Sequence, residues 1–182
     1  MIKVGITGTE CTGKTTLVNM LKEHFEDNLI VVPEMIRTMS RDCLIEGNGR
    51  YDAIFTQLKE EFVKTKFTIK CGKSILLCDT TLADNLMYLI HFNGYDEGLY
   101  NLVKYYMQNK GYDIILFSKI DKIPLEEDGF RLAIPDLRNK VEKGLSLFYS
   151  MNRINNVFEL IGNKQDRLDK SITIINEKYK II

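Results

Sequence analysis

Short apolar runs alternate with amphipathic segments along this chain of 182 residues. The apolar runs cover residues 2–7, 29–32, 74–79, 113–117 and 157–161. Each is short and nearly continuous in apolar character, which is typical of parallel strands that are covered on both faces. We therefore predict a mostly parallel, five-stranded sheet.

The segments between these runs repeat their apolar residues every three to four positions, which predicts helices. The clearest is residues 14–25, where Leu17, Leu21 and Phe25 recur at intervals of four. The other predicted helices cover residues 35–46, 52–70, 82–92, 97–109, 135–152 and a terminal segment from about residue 164. Strands that alternate with helices in this way predict a three-layer α/β/α fold, with helices on both faces of the sheet.

The first predicted strand runs directly into Gly-Thr-Glu-Cys-Thr-Gly-Lys-Thr-Thr, residues 8–16. This segment matches the phosphate-loop pattern G-x-x-x-x-G-K-[ST], with a strand before it and a helix after it. Backbone N–H groups of such a loop, together with the dipole of the following helix, bind nucleotide phosphates. Lys14 is expected to reach the β- and γ-phosphates, and the Thr15 hydroxyl to bind Mg²⁺. The residues predicted to bind ATP here are Gly8, Thr9, Glu10, Cys11, Thr12, Gly13, Lys14, Thr15 and Thr16.

Polar residues also follow two other predicted strands, at the sheet edge where ligands bind in open α/β folds. Glu34 and Arg37 come after the second run, and Asp79 ends the third. Asp79 has the position of the acidic residue that lies near Mg²⁺ in phosphate-loop proteins. Glu34 is suited to accept a proton from a substrate hydroxyl or to bind a ribose, and Arg37 to pair with Glu34 or a phosphate. Helix N-termini favour acidic residues without any ligand, so each carboxylate also has a purely structural interpretation.

Residues 119–150 begin as a charged, turn-rich segment and continue as a helix, which is typical of a lid over an active site. Arg131 and Arg138 are expected to approach the transferred phosphoryl group, whose oxygens carry spread negative charge. The alternative is a solvated loop with an acidic run at residues 126–128.

Two further places are weaker candidates. Gln57, on the long predicted helix, either reads a nucleobase or sugar or is a surface residue. Asn163 and Arg167, at the start of the last helix, are a candidate wall for the purine of ATP.

Composition excludes several classes of function. Lys and Arg number 25, and Asp and Glu also number 25, so no overall field attracts nucleic acid or an anionic membrane. No apolar run approaches the roughly 18 residues of a membrane span, and Lys3 is not followed by the apolar core of a signal peptide. The four cysteines lack Cys-x-x-Cys spacing, so we expect free thiols in a cytoplasmic protein and no zinc site. The length predicts one domain, residues 1–182.

The chain resembles the nicotinamide-riboside-kinase domain of bacterial NadR-type proteins and the wider group of small AAA-like ATPases and kinases around it. The resemblance spans nearly the whole chain. Besides the phosphate loop, it rests on Val32-Pro33-Glu34-Met35-Ile36-Arg37, Gln57, Cys78-Asp79-Thr80, Ile123-Pro124, Asp128-Gly129-Phe130-Arg131, and Gly162 with Arg167. It implies substrate contacts from Glu34, Arg37, Gln57, Asp79, Asp128 and Arg131, and a donor-nucleotide contact from Arg167. Arg138 and Asn163 are expected at the donor nucleotide from their positions in the lid segment and at the start of the last helix.

The chain departs from this family pattern near the substrate end. Met35 replaces an aromatic residue, Thr81 stands where a second acidic residue is common, and Leu125 replaces a tryptophan. A relative that acts on a different nucleoside or nucleotide would show such changes.

Three hypotheses for function follow. The first is an ATP- and Mg²⁺-dependent kinase that phosphorylates the 5′-hydroxyl of a nucleoside such as nicotinamide riboside. Its catalytic residues would be Lys14, Glu34, Asp79 and Arg131, with Glu34 or Asp79 as the base and Thr15 and Asp79 as metal ligands. The second is a nucleoside-monophosphate kinase, and the third a nucleotide-binding switch or adaptor ATPase. A small-molecule acceptor is expected rather than nucleic acid or a membrane, and a homodimer is compatible with the sequence.

Overall fold

The computed structural model describes residues 1–39, 49–109, 111–121, 123–124 and 135–179. The strands are β1 (Ile2–Thr7), β2 (Leu29–Val32), β3 (Ile75–Cys78), β4 (Ile114–Ser118) and β5 (Val157–Leu160). The helices are α1 (Lys14–Phe25), α2 (Gly49–Lys70), α3 (Leu82–Asn93), α4 (Glu97–Asn109), α5 (Pro135–Met151) and α6 (Lys164–Tyr179). None of the helices described is long and apolar enough to cross a lipid bilayer.

The strands form one parallel, five-stranded sheet in the order β2-β3-β1-β4-β5, which confirms the predicted α/β class. β1 is central, with β3 and β4 as its neighbours. All carboxyl ends of parallel strands meet at one edge of the sheet. The residues after β1, β2 and β3 therefore converge on one region.

The sheet separates two hydrophobic cores. On one face, Ile2, Val4 and Ile6 of β1 belong to a buried cluster that includes Leu21 of α1 and Ile175 of α6. The opposite face packs against helices α2 to α5. Its fully buried members include Leu76, Ile115, Leu86 and Leu89.

The second face of β1 departs from the continuous apolar pattern expected of a central strand. It carries Lys3 and Thr7, both buried. Lys3 Nζ lies 2.6 Å from Glu61 Oε2 of α2. The hydroxyls of Tyr106 and Tyr112 donate to the two Glu61 oxygens at 2.7 and 2.5 Å. The buried ion pair is thus surrounded by hydrogen-bond donors, which buried charges require.

The predicted helix at residues 35–46 is only partly observed. Met35–Thr38 forms a 3-10 turn, the backbone is extended at Met39, and residues 40–48 lie outside the described part of the chain. Glu34, at the position that would cap the turn, makes no capping hydrogen bond. Its Oε2 accepts instead from Arg37 Nε at 2.7 Å.

We predict that replacement of Glu61 by Ala lowers the free energy of unfolding by about 3–5 kcal/mol, because the Lys3 ammonium is then buried without its counter-charge. The double change Lys3→Met with Glu61→Leu is expected to recover much of that loss. Urea unfolding monitored by circular dichroism measures both. The Lys73–Asp27 pair, with a 3.9 Å separation and a fully exposed aspartate, serves as the control. Asp27→Ala should leave the midpoint unchanged, and equal losses at Glu61 and Asp27 would contradict the assignment.

Candidate phosphate and metal site

The phosphate loop leaves a helix start open to an anion. Gly13 precedes α1 with φ 78°, and no side chain caps the helix. Gly8 has φ 145°, and a Cβ there would lie 2.4 Å from the carbonyl oxygen of Ser118. Only glycine fits at residue 8. The first turn of α1 therefore presents unsatisfied N–H groups and a positive dipole end.

Lys14 is held by the loop that it belongs to. Its Nζ donates to the carbonyl oxygens of Gly8 and Thr9 at 2.8 and 2.7 Å, and the residue is buried. The Thr12 hydroxyl donates to the same Thr9 carbonyl at 2.9 Å. The ammonium thus has two hydrogen-bond partners within the loop itself.

The phosphate loop borders a cavity together with Glu34 and Arg37, which follow β2 in the chain. A cavity of about 160 Å³ is lined by Cys11, Thr12, Gly13, Lys14, Thr15, Thr16, Glu34 and Arg37. Glu34 is buried, and its side chain forms an ion pair with Arg37. A carboxylate, a guanidinium and a lysine therefore border one small cavity.

Asp79 lies beside the first turn of α1. The Thr15 hydroxyl donates to Asp79 Oδ2 at 3.2 Å. Oδ1 of the same carboxylate is buried and has no hydrogen-bond partner within the described residues. Burial raises the pKa of Asp79, while the nearby Lys14 charge lowers it and Glu34 raises it further. A hydroxyl next to a carboxylate with one unused oxygen is a donor set that fits Mg²⁺.

Asp84 is a site-forming residue that the sequence analysis did not select. Its Oδ1 accepts from Gly8 N at 2.8 Å and from the Thr7 hydroxyl at 3.1 Å. Its Oδ2 accepts from the N–H and the hydroxyl of Thr81 at 2.8 and 2.7 Å. The Tyr149 hydroxyl donates to Thr7 at 2.8 Å and completes the buried group. Asp84 thereby joins the start of the phosphate loop to the start of α3.

Glu10 is buried on the α3 side of the loop. The hydroxyls of Tyr88 and Thr9 donate to Glu10 Oε2, the latter at 2.8 Å. On the other side, Arg138 of α5 donates through Nη2 to the carbonyl oxygens of Cys11 and Ile123, both at 3.0 Å. Arg138 Nε is buried and without a hydrogen-bond partner within the described residues.

Arg167 and Asn163, the candidate purine wall, bind protein groups in this structure. Arg167 Nε donates to Gly162, Nη1 to Thr12 and Ser118, and Nη2 to Lys119. Asn163 Oδ1 accepts from the N–H groups of Gln165 and Asp166 and so caps α6. Arg167 contacts the loop through the Thr12 carbonyl. Neither Arg167 nor Asn163 lines the cavity described above.

Gln57 is buried rather than at the surface, and its amide also binds protein groups. Its Nε2 donates to Glu61 Oε1 and to the Thr80 carbonyl, both at 2.8 Å, and Oε1 accepts from Asn85 Nδ2. A direct contact with a substrate would require exchange of one of these bonds. Asp128 and Arg131 lie outside the described residues.

The open helix start after β1, with an acidic residue at the tip of the adjacent parallel strand, defines a phosphate-loop nucleotide-binding protein. A family model described as an AAA domain matches residues 3–167. The chain therefore belongs to this family of AAA domains.

Solved structures share this fold at low sequence identity. Deoxyadenosine kinase from M. mycoides with bound dATP superposes with a TM-score of 0.64 at 14% identity, covering 97% of this chain and 100% of that one. The dCTP complex of that enzyme gives 0.58 at 16% identity, with the same coverage. Thymidylate kinase from Ehrlichia chaffeensis gives 0.65 at 16% identity, covering 96% and 98%. No functionally curated protein shows a significant sequence match.

We predict that Asp84→Asn costs about 1–3 kcal/mol of unfolding free energy and weakens nucleotide binding, because an amide NH₂ would then face N–H and hydroxyl donors. Urea unfolding and titration with a fluorescent ATP analogue measure the two effects. Asp166 provides a matched control, since its Oδ2 accepts from Asn163 N at 2.9 Å in an exposed cap of the same kind. If Asp166→Asn were as damaging as Asp84→Asn, burial and the link to the loop would not be the cause.

We predict that Asp79→Asn raises the melting temperature of the nucleotide-free protein at neutral pH. Because burial raises the pKa of Asp79, folding favours the protonated form, and the ionised carboxylate costs stability above that pKa. The cost disappears as the pH falls through the raised pKa toward the ordinary value of 3.8, so the two proteins should converge there. Melting curves across pH test this, with exposed Asp169→Asn as control. Mg²⁺ and ATP together should stabilise only the wild type strongly.

Proposed function

We propose that this protein is an ATP- and Mg²⁺-dependent kinase that phosphorylates a hydroxyl group of a nucleoside, such as the 5′-hydroxyl of nicotinamide riboside. The observation that carries the proposal is the cavity shared by the phosphate loop and the Glu34–Arg37 pair. A loop alone would support any nucleotide-binding protein. A buried carboxylate on the far side of the same cavity supplies a group for the acceptor.

In this proposal the donor phosphates bind the N–H groups of the loop and the first turn of α1. Lys14 leaves the carbonyls of Gly8 and Thr9 for the β- and γ-phosphates. Thr15 and Asp79 would hold Mg²⁺, which neutralises phosphate charge when bound. Arg138, already bonded to the Cys11 carbonyl, has its buried Nε available for a phosphate oxygen.

Between the two candidate bases, the contacts favour Glu34. Asp79 is bonded to the Thr15 hydroxyl, so its remaining oxygen is the natural ligand for the metal ion. Glu34 is buried at the opposite wall, and its pairing with Arg37 keeps the carboxylate oriented. Glu34 would accept the proton of the acceptor hydroxyl as the phosphoryl group is transferred.

A nucleoside-monophosphate kinase is the second candidate. The Arg37 guanidinium lines the cavity and would bind an acceptor phosphate as readily as it pairs with Glu34. The likeness in fold to thymidylate kinase and to deoxyadenosine kinase fits both candidates equally.

We predict acceptor-stimulated ADP release with at least one nucleoside among nicotinamide riboside, adenosine, deoxyadenosine and thymidine, and a smaller response to their monophosphates. A coupled ADP assay with ATP and Mg²⁺ measures it. Lys14→Ala should lower kcat by about 10²–10³-fold, because a donor to the developing phosphoryl charge is lost.

Each other result of this screen has a clear meaning. A preference for monophosphates identifies the second candidate. Tight ATP binding without any acceptor-stimulated ADP release would favour a nucleotide-binding switch. Near-normal turnover by Lys14→Ala would contradict the whole scheme.

A further inference from the structure

The chain leaves β3 through one residue with an unusual backbone conformation. Thr80 has φ 141°, which glycine tolerates and a β-branched residue rarely adopts. It is buried and directly follows Asp79, whose N–H still donates to the Val32 carbonyl at 2.9 Å, as in a strand. The next residue, Thr81, is already the N-cap of α3. The change of direction from strand to helix is therefore concentrated at Thr80.

Backbone strain of this kind persists only where surrounding contacts hold it, and it occurs most often at functional sites. Two contacts hold the turn after β3. On the helix side, the Thr81 N–H donates to Asp84 Oδ2 in the capping box of α3. On the other side, Gln57 Nε2 of α2 donates to the Thr80 carbonyl oxygen at 2.8 Å. The Gln57 bond thus acts directly on the strained residue.

The amide of Gln57 has one fixed orientation. Its Nε2 also donates to Glu61 Oε1 at 2.8 Å, and its Oε1 accepts from Asn85 Nδ2. A carboxylate and a backbone carbonyl only accept hydrogen bonds, so the NH₂ end of the amide must face Glu61 and Thr80. Glu61 is itself held by the ion pair with Lys3. Gln57, only 2% exposed, is therefore a bridge from α2 to the turn and to α3.

This bridge ends one residue from the proposed metal position. Asp79 Oδ2 accepts from the Thr15 hydroxyl, and Oδ1 is buried without a partner among the described residues. The direction of this carboxylate depends on the backbone at residues 79 and 80. We propose that Gln57 is a positioning residue, which holds the strained Thr80 peptide and so keeps Asp79 oriented beside Thr15 for a divalent cation. This inference rests on the metal position of the proposed function. It gives Gln57 a role other than the substrate contact that the family resemblance implies.

The experiment measures metal binding without turnover. Mn²⁺ suits the same oxygen ligands as Mg²⁺, and electron paramagnetic resonance counts it directly. The protein is loaded with a non-hydrolysable ATP analogue, and no acceptor is added. We expect Gln57→Met to weaken Mn²⁺ affinity by about 10–100-fold, the usual effect of losing a group that orients a metal ligand. Affinity for the analogue without metal should stay close to that of the wild type. Gln57→Asn, which keeps the amide but shortens its reach, serves if Gln57→Met does not fold.

Glycine at residue 80 tests the strain itself. Thr80→Gly removes the side chain that opposes φ 141°, so we expect the melting temperature to rise. Without Gln57, a threonine can relax to negative φ and turn Asp79 away, whereas a glycine keeps the same conformation at little cost. In the double variant Gln57→Met with Thr80→Gly, Mn²⁺ affinity should therefore recover by about 5-fold or more relative to Gln57→Met. A merely structural contact gives no such rescue.

Gln108→Met is the matched control. Gln108 Nε2 of α4 donates to the Asn152 carbonyl at 2.8 Å, a bond of the same kind and length as that of Gln57. Neither Gln108 nor Asn152 lines the cavity at the phosphate loop. This variant should bind Mn²⁺ as the wild type does, and an equal loss at Gln108 would show a general effect on folding.

The remaining outcomes are distinguishable. If Gln57→Met binds Mn²⁺ normally but raises the acceptor KM in the ADP assay, Gln57 is a substrate contact and the inference is overturned. If Thr80→Gly does not raise the melting temperature, the turn is not strained and the inference fails, whatever the Gln57 variants do. If the loaded wild type binds no Mn²⁺, the metal position of the proposed function fails as well. If only the acceptor screen fails, the kinase proposal falls and the role of Gln57 stands.

Discussion

The geometry of the site depends on one buried carboxylate. Asp84 accepts four hydrogen bonds, from the start of the phosphate loop on one side and from the start of α3 on the other. Those two segments follow adjacent strands of a parallel sheet, which pair along their length but not beyond their ends. Without a bridge, the loop after β1 and the turn after β3 would vary in relative position. Asp84 joins them, with the Tyr149 hydroxyl as a second link between Thr7 and Thr81, and beside this bridge the Thr15 hydroxyl lies 3.2 Å from Asp79 Oδ2.

The sheet and most helices could be predicted from sequence because their signals are local. Short apolar runs identify strands that are buried on both faces, and a four-residue recurrence identifies α1 without knowledge of its partners. The phosphate loop has a local signal too, since Gly8 and Gly13 adopt positive φ angles within the loop, although the Ser118 carbonyl that also excludes a side chain at residue 8 is distant in sequence. The segment after Glu34 was predicted less well. There the side chain that would have capped a helix pairs with Arg37, and the turn remains 3-10.

The roles of individual polar residues could not be predicted in the same way, because their partners are distant in sequence. Asp84 is 77 residues from Thr7, and only the fold brings them together. A pattern was available, since Thr81 and Asp84 have the spacing of a capping box, but that pattern accounts for a helix start and not for a bond to Gly8. At Arg167, by contrast, the residue type predicted a nucleotide contact, whereas the structure shows contacts with protein groups. A guanidinium suited to phosphate is equally suited to backbone carbonyls, and here it binds four protein groups behind the loop.

Several side chains of this site have buried polar atoms that lack a hydrogen-bond partner within the described residues. Buried polar groups in folded proteins nearly always have partners, so each exception needs a cause. Glu10 Oε1, Asp79 Oδ1 and Arg138 Nε are such exceptions among the described residues, and all three belong to side chains around the phosphate loop. Their chemistry differs: two belong to carboxylates that accept from neighbouring hydroxyls, and the third belongs to a guanidinium bonded to the Cys11 carbonyl. A single ligand cannot satisfy all three. A cation beside the carboxylates and an anion beside the guanidinium would, and the Mg²⁺ and nucleotide phosphates of the proposed reaction are one such combination.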